Sequence, residues 1–352
     1  MLSRLFRALR RPARRGAGAA LVSTLIAGVG AANAADEVNL YTTREPALIQ
    51  PLIDAFTKAS GGTKVNTVFV KDGLLERVRA EGERSPADVL MTVDIGNLID
   101  LVDGGVTQAV KSPVLESVLV ANLRDPAGHW FALSLRDRVL YAAKDLPLTQ
   151  FTYEELADPE WKGKVCIRAG QHPYNTALIA AKIANDGVEQ TERWLRGVKA
   201  NLARKAAGGD RDVARDILGG ICDIGIANSY YFGQMKNAAP GSDNRKWGDG
   251  IKAIRPTFAK TGGTHVNVSG AVVARHAPNK DNAVKLLEYL VSEPAQAIYA
   301  RANYEYPIRA NVPQDPVMAD LAPLRVDALP LAEIARFRKQ ASQLVDKTGF
   351  DD

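Results

Sequence analysis

An α/β fold built on a mainly parallel sheet, with helices covering both faces, is predicted from three features. Strand-like and helix-like segments alternate with short connections from Val38 to Val102, the pattern of consecutive crossover units. The run from Gly220 to Ala227 alternates small and β-branched residues as a buried strand does. At 352 residues and 46% hydrophobic content the chain is long enough for two compact lobes.

Residues 38–41 read as the first strand, and Pro46 suits the first turn of a helix that recurs at Leu48, Ile49, Leu52, Ile53 and Phe56. A strand at 64–70, a helix at 74–83, a strand at 87–92 and a helix at 95–102 complete the first alternation. Residues 130–133 and 138–141 read as two strands separated by Ser134-Leu135-Arg136-Asp137, where the chain crosses between lobes. A short helix at 153–157, a strand at Cys166 and a helix from Tyr174 through Ile183 follow. Thr191 is the expected cap of a helix at 192–202, and Asp210 of a helix ending at Leu218. Residues 240–249 read as a polar loop, 266–273 as a strand returning to the first lobe, and 281–290 and 295–302 as helices. A turn at 303–307 precedes a single closing amphipathic helix at 330–345.

Six arginines (Arg4, Arg7, Arg10, Arg11, Arg14 and Arg15) precede the apolar run 17–29, which is followed by Ala32-Asn33-Ala34. That order fits a secretory leader cleaved after Ala34, with the Sec and twin-arginine routes both open. Removing those six charges takes the formal net charge from +5 to −1. The basic balance therefore belongs to the leader and gives no reason to expect a nucleic-acid partner. No cysteine follows the cleavage position closely, so a free periplasmic protein is expected. Cys166 and Cys222 each lie in a strand-like run, and pairing across adjacent strands in an oxidising compartment stands against two buried thiols.

Asn228-Ser229 ends the apolar run that began at Gly220, so Tyr230 and Tyr231 fall just beyond a strand end, where open α/β sheets place ligand contacts. Tyr174 also stands at a strand-to-helix junction. Two phenols converging at an irregular strand end suit a hard metal ion, and ferric iron prefers anionic oxygen. Tyrosine rings packed against apolar neighbours are the alternative. Arg44 lies beside the N-terminus of the first helix, a position that attracts anions. Three phenolates would neutralise Fe3+, and an added carbonate would leave negative charge for Arg44 and Arg136 to offset. The four histidines show no zinc spacing. Ser242-Asp243-Asn244 and Lys260-Thr261-Gly262 match two signatures of penicillin-recognising serine enzymes, but no Ser-x-x-Lys accompanies them. No enzyme activity is expected.

Tyr41-Thr42-Thr43-Arg44, Pro173-Tyr174-Asn175 and Asn228-Ser229-Tyr230-Tyr231 together resemble the periplasmic ferric-ion-binding proteins of bacterial ABC importers. The segments 85–90, 161–166, 208–212, 265–270 and 304–307 extend that resemblance over nearly the whole mature chain. It implies a two-lobed type II periplasmic solute-binding fold with a hinge and a central ligand cleft. Residues 35–133 plus 266–312 would form lobe 1; residues 134–265 plus 313–352 would form lobe 2, with the C-terminal helices packing on it. The resemblance implies Tyr174, Tyr230 and Tyr231 as ligands of Fe3+ and Arg44 as holder of a synergistic carbonate or bicarbonate. Arg136 is a second anion contact, and Glu45 and Asn175 are lesser candidates. Some relatives place a histidine where Glu45 stands and a glutamate where Val93 stands, so this chain's first lobe is short of donors. An inner-membrane permease, iron or an iron chelate, and a monomeric state are the implied partners and assembly. A binding protein for a small organic anion or polyamine is the alternative on the same scaffold.

Overall fold

Strand β1 (Glu37–Thr42) lies between β2 (Lys64–Phe69) and β3 (Val89–Thr92), parallel to both. The computed structural model describes residues 36–319, 321 and 323–352; the leader expected through Ala34 lies outside the described residues. β4 (Thr107–Gln108) is short, and β5 (Phe131–Ala143) is the longest strand. β6 (Val165–Cys166), β7 (Ile224–Asn228), β8 (Ile251–Ile254) and β9 (Val266–Ala274) complete a curled sheet ordered β2-β1-β3-β9-β5-β7-β6. β9 returns antiparallel to β3, as the strand expected to revisit the first lobe should.

The two strands expected around residues 134–137 are one continuous strand. β5 pairs with β9 over Phe131–Asp137, with a register slip between Ala132 and Ser134. From Arg138 onward it pairs with β7 and β8 instead. The polar run does not break the strand because its buried groups are partnered. Ser134 donates to Glu305, Asp137 meets Arg255 at 2.8 Å and Arg138 meets Asp210 at 2.8 Å. A paired polar group can stay in a strand interior, whereas an unpaired one would not.

Side chains alternate across the sheet, and each half of the sheet is therefore covered on both faces. On β3, Val89 and Met91 join the cluster of Leu40, Leu52 and Leu286, whereas Leu90 joins Leu98, Trp130 and Val272. On β5, Leu140 and Ala142 pack with Trp161, Ile179 and Ile226, whereas Val139 and Tyr141 pack with Val213, Phe232 and Met235. The fold is the expected two-lobed α/β arrangement.

Several local expectations are corrected. Residues 240–249 are not a loop: Ser242 caps a helix, Asp243–Gly250, by accepting the Arg245 N–H at 3.2 Å, and Arg245 pairs with Asp249 four residues on. The Ser242-Asp243-Asn244 tripeptide is thus a helix start. The closing helix is two, Leu331–Arg336 and Arg338–Thr348, broken at Phe337; Leu331 packs in one cluster, and Ile334 and Leu344 in another. Thr191 lies inside its helix, Val188–Ala200, and donates to the Gly187 carbonyl at 2.8 Å. Asp210 is the first helical residue rather than the cap; the Gly209 N–H bonds Asp212 at 2.7 Å, which frees the Asp210 carboxylate for other work.

Cys166 and Cys222 form a disulfide, with Cα atoms 5.9 Å apart. Cys222 precedes β7 rather than lying within it, and Gly225 lets β7 approach the Cys166 carbonyl more closely than any Cβ would permit. The bridge spans 56 positions, so chain entropy alone gives it roughly 3–4 kcal/mol. Thiol titration of the unreduced denatured protein should find no free thiol, and Cys166→Ala/Cys222→Ala should lower urea stability by about that amount.

His265, 2% exposed at the foot of β9, gives its carbonyl to the Arg138 N–H at 3.4 Å. Burial first, then Arg138 and Arg136, lower its pKa to about 3, so its ring is neutral. The unfolded chain, with a pKa near ~6.5, binds the extra proton first. Stability is therefore fully present above about pH 6.5 and is lost as pH falls towards 3. Urea midpoints measured from pH 7 to pH 4 should fall in the native chain, and the fall should be shallower in His265→Phe.

Candidate metal centre

β7 ends at Asn228, and the helix Ser229–Lys236 begins at the next residue. An irregular strand end was expected here; the structure has a helix N-terminus. Tyr230 and Tyr231 consequently occupy one first turn, and their rings lie 4.2 Å apart between centroids at 36°. Gly233, in the same helix, takes the ring of Tyr304 against its bare Cα, so the helix packs close to the turn that carries Glu305.

Tyr174 is the second residue of the helix Pro173–Asp186. His172 caps that helix, its ring nitrogen accepting the Tyr174 N–H at 3.2 Å. Burial, then Arg168, holds the pKa of this histidine down at about 3, so it serves as a neutral acceptor. The two helix starts converge, and the Tyr174 and Tyr230 hydroxyl oxygens are 3.3 Å apart.

One carboxylate fixes that convergence. Asp210 Oδ2 accepts Arg138 at 2.8 Å and the Asn228 N–H at 2.7 Å, and its Oδ1 accepts Arg168 at 3.1 Å. Arg138 also donates to Asn175 Oδ1 at 2.6 Å. Asn175 in turn donates to the carbonyls of Arg168 and Ala169. Asn175, a sequence candidate, is thus committed to holding the Tyr174 loop. Asp210, Arg138 and Arg168 were missed as site residues; Asp210 was read only as a cap, and nothing local distinguishes it from one.

The phenols lie in a positive field. Arg136 is 5.4 Å and Arg168 5.1 Å from the Tyr174 ring centre, and Arg211 is 4.8 Å from that of Tyr231. Two helix N-termini add the positive ends of their dipoles. Against this, burial pushes the Tyr230 hydroxyl well above the ordinary tyrosine range, and Tyr174 and Tyr231 push it further. Burial also raises Tyr231, with Tyr174 and Asp210 adding to it. In this geometry the pair is protonated at neutral pH, and deprotonation requires a cation that displaces the protons.

Arg44 lies elsewhere than its sequence position alone suggests. Its two terminal nitrogens meet Glu305 at 2.8 and 3.0 Å, one of them also reaches Ser269, and the guanidinium lies 5.7 Å from the Tyr299 ring centre. Burial alone would lower its pKa, but Glu305 drives it up. Arg136 reaches across to the Val93 carbonyl, and also donates to Val268 at 3.1 Å. Glu45 is exposed before the helix Pro46–Ala59 and makes no capping bond. Among the described residues no group of three or more His, Cys, Asp or Glu side chains could hold a metal ion.

Among known proteins, the iron uptake protein A2 of Synechocystis is 38% identical over 342 residues, 95% of this chain and 96% of that one. The solved structure of a Bordetella ferric binding protein, 76% identical, matches with a TM-score of 0.84 over 90% of this chain and 100% of that chain. A Trichodesmium protein solved with iron and citrate ligands, 39% identical, matches with a TM-score of 0.83 over 89% and 99% of the two chains. A family profile described as bacterial extracellular solute-binding protein matches residues 84–326. The chain is a member of the bacterial extracellular solute-binding protein family.

Proposed function

We propose that this protein captures ferric iron in the periplasm through Tyr174, Tyr230 and Tyr231 and hands it to an inner-membrane ABC permease. The observation that carries the reading is the convergence of three phenols at two helix N-termini, with Tyr174 and Tyr230 oxygens 3.3 Å apart. Iron-binding names among its relatives support the same cargo. Tyr174 and Tyr230 turn their oxygens towards one another, which suits a cation better than a stacked organic solute. The chain is a binding protein, like those relatives, rather than an enzyme.

Ferric iron is the cargo, and each phenol that binds it gives up a proton. Three phenolates cancel the charge of Fe3+, while Arg136, Arg168 and Arg211 leave the surroundings positive. A carbonate or bicarbonate would answer that excess and fill the coordination positions the phenols leave. Arg136, 5.4 Å from the Tyr174 ring centre, would be the anion contact, and only one of its terminal nitrogens is committed, to the Val93 and Val268 carbonyls. Arg44 would have to share its fork with Glu305 to take part. Glu45, exposed at a helix start, could join only through lobe movement. The lobes would be residues 35–133 plus 266–312 and residues 134–265 plus 313–352; β5 changes partners four residues later than that boundary, after Asp137.

Tyrosinate bound to Fe3+ absorbs visible light, so ferric citrate added to stripped protein should produce a band saturating at one iron per chain. Tyr230→Phe and Tyr231→Phe should each weaken binding by more than the roughly 10–100-fold that outer-shell changes cost. Retention of the band at full strength in both variants would sink the assignment. Because phenol protons compete with iron, the band should disappear as pH falls, with no reversal at lower pH.

Bicarbonate should strengthen the band, and Arg136→Gln should reduce that response more than Arg44→Gln. Equal iron affinity with and without bicarbonate, in the native chain, would remove the anion from the proposal.

A further inference from the structure

Tyr304 is the one residue other than glycine with a positive φ among the described residues, at 57°. It stands just beyond the helix Glu293–Ala302, where a left-handed residue is usually glycine because a Cβ is crowded there. Its neighbours explain why the chain turns. Asn303 donates to the Leu48 carbonyl at 3.0 Å, the Glu305 carboxylate holds Arg44 and Ser134, and Tyr306 exchanges two backbone bonds with Leu135, each of 2.9 Å. They do not explain the ring. Glycine would make the same turn without strain, so the contacts of the tyrosine side chain are where a reason for keeping it lies.

That ring lies along the helix Ser229–Lys236, which carries Tyr230 and Tyr231. A Cβ on Gly233 would come within 2.6 Å of Tyr304 Cγ and 2.8 Å of its Cβ, so only glycine admits the ring there. Asn237, just past the end of the helix, donates to the Tyr304 hydroxyl at 3.0 Å. Tyr230, Gly233 and Asn237 follow one another at helical spacing and share one face. Tyr304 therefore covers the face that bears Tyr230, starting one turn along from it. The helix has only eight residues, too few to hold its form without tertiary contacts. Its first turn is referenced to Asp210 through Asn228, and its second meets Tyr304 on this face.

We propose that Tyr304 is a positioning residue for the tyrosine site: its ring, presented by left-handed backbone, braces the helix Ser229–Lys236 and sets where the Tyr230 oxygen stands relative to that of Tyr174. This role rests on the reading of Tyr174, Tyr230 and Tyr231 as ferric ligands. Because Glu305 follows directly, the same turn ties that helix to Arg44 and to β5. A phenol in a first turn moves with its helix. Metal–ligand bonds tolerate departures of only about 0.2 Å, so a helix shift too small to unfold the chain weakens the site.

Titration of stripped protein with ferric citrate, followed through the visible tyrosinate band, is the test. Tyr304→Gly removes the ring and relieves the backbone, so it should fold, which its urea midpoint checks. Its iron affinity should fall about tenfold, the low end of outer-shell effects, and its band maximum should move. Tyr304→Phe keeps the ring and loses one hydrogen bond, so its affinity should stay within about threefold of native. Gly233→Ala should weaken iron binding in the native chain and change little in Tyr304→Gly, where the ring its methyl would strike is gone. The proposal is overturned if Tyr304→Gly binds iron with native affinity and an unmoved band, or if Gly233→Ala costs the same in both backgrounds. Either result, with the native band present, leaves the iron reading standing. No band in the native chain would remove that reading and this role with it.

Discussion

Asp210 is the constraint on which the site depends. It is almost wholly buried, yet it accepts from both Arg138 and Arg168 and from the Asn228 N–H besides. Through Arg138 it reaches Asn175, which holds the loop before Tyr174; through Asn228 it fixes the residue before the helix of Tyr230. Both tyrosine-bearing helices are therefore referenced to one carboxylate. Breaking a buried pair by removing one partner costs about 3–5 kcal/mol, so the network resists any small rearrangement that would separate the phenols.

The same network sets the sign of the local field. One carboxylate faces two arginines, and Arg136 and Arg211 add two more cations around the rings. That excess opposes the burial which would otherwise keep the phenols protonated. Desolvation still wins for Tyr230 and Tyr231 in this geometry. The phenol protons therefore stay in place until a cation displaces them.

β5 links this site to the rest of the molecule. Its first half belongs to one part of the sheet and its second half to another, and its buried Ser134, Asp137 and Arg138 reach Glu305, Arg255 and Asp210 in turn. Arg44 joins Glu305 from the far side. Polar pairs at the crossing give the strand a defined partner at each of these positions.

The α/β class, the helix at Pro46, the first four alternating elements and the cysteine pair were legible in the sequence, because periodicity, proline placement and strand-like runs are local signals. So were the places of Tyr174 at a strand-to-helix junction and of Tyr230 and Tyr231 just past a strand end. Local chemistry could not tell whether Asp210 would cap a helix or hold two arginines, because a carboxylate suits both. Nor could it show that polar residues 134–138 continue a strand, since their partners lie up to 171 positions away. The fork of Arg44 was free on paper and is engaged by Glu305, 261 positions distant, in the fold. Sequence determined which groups were available; tertiary structure decided which were already satisfied, because hydrogen bonding and burial depend on neighbours that chain order does not supply.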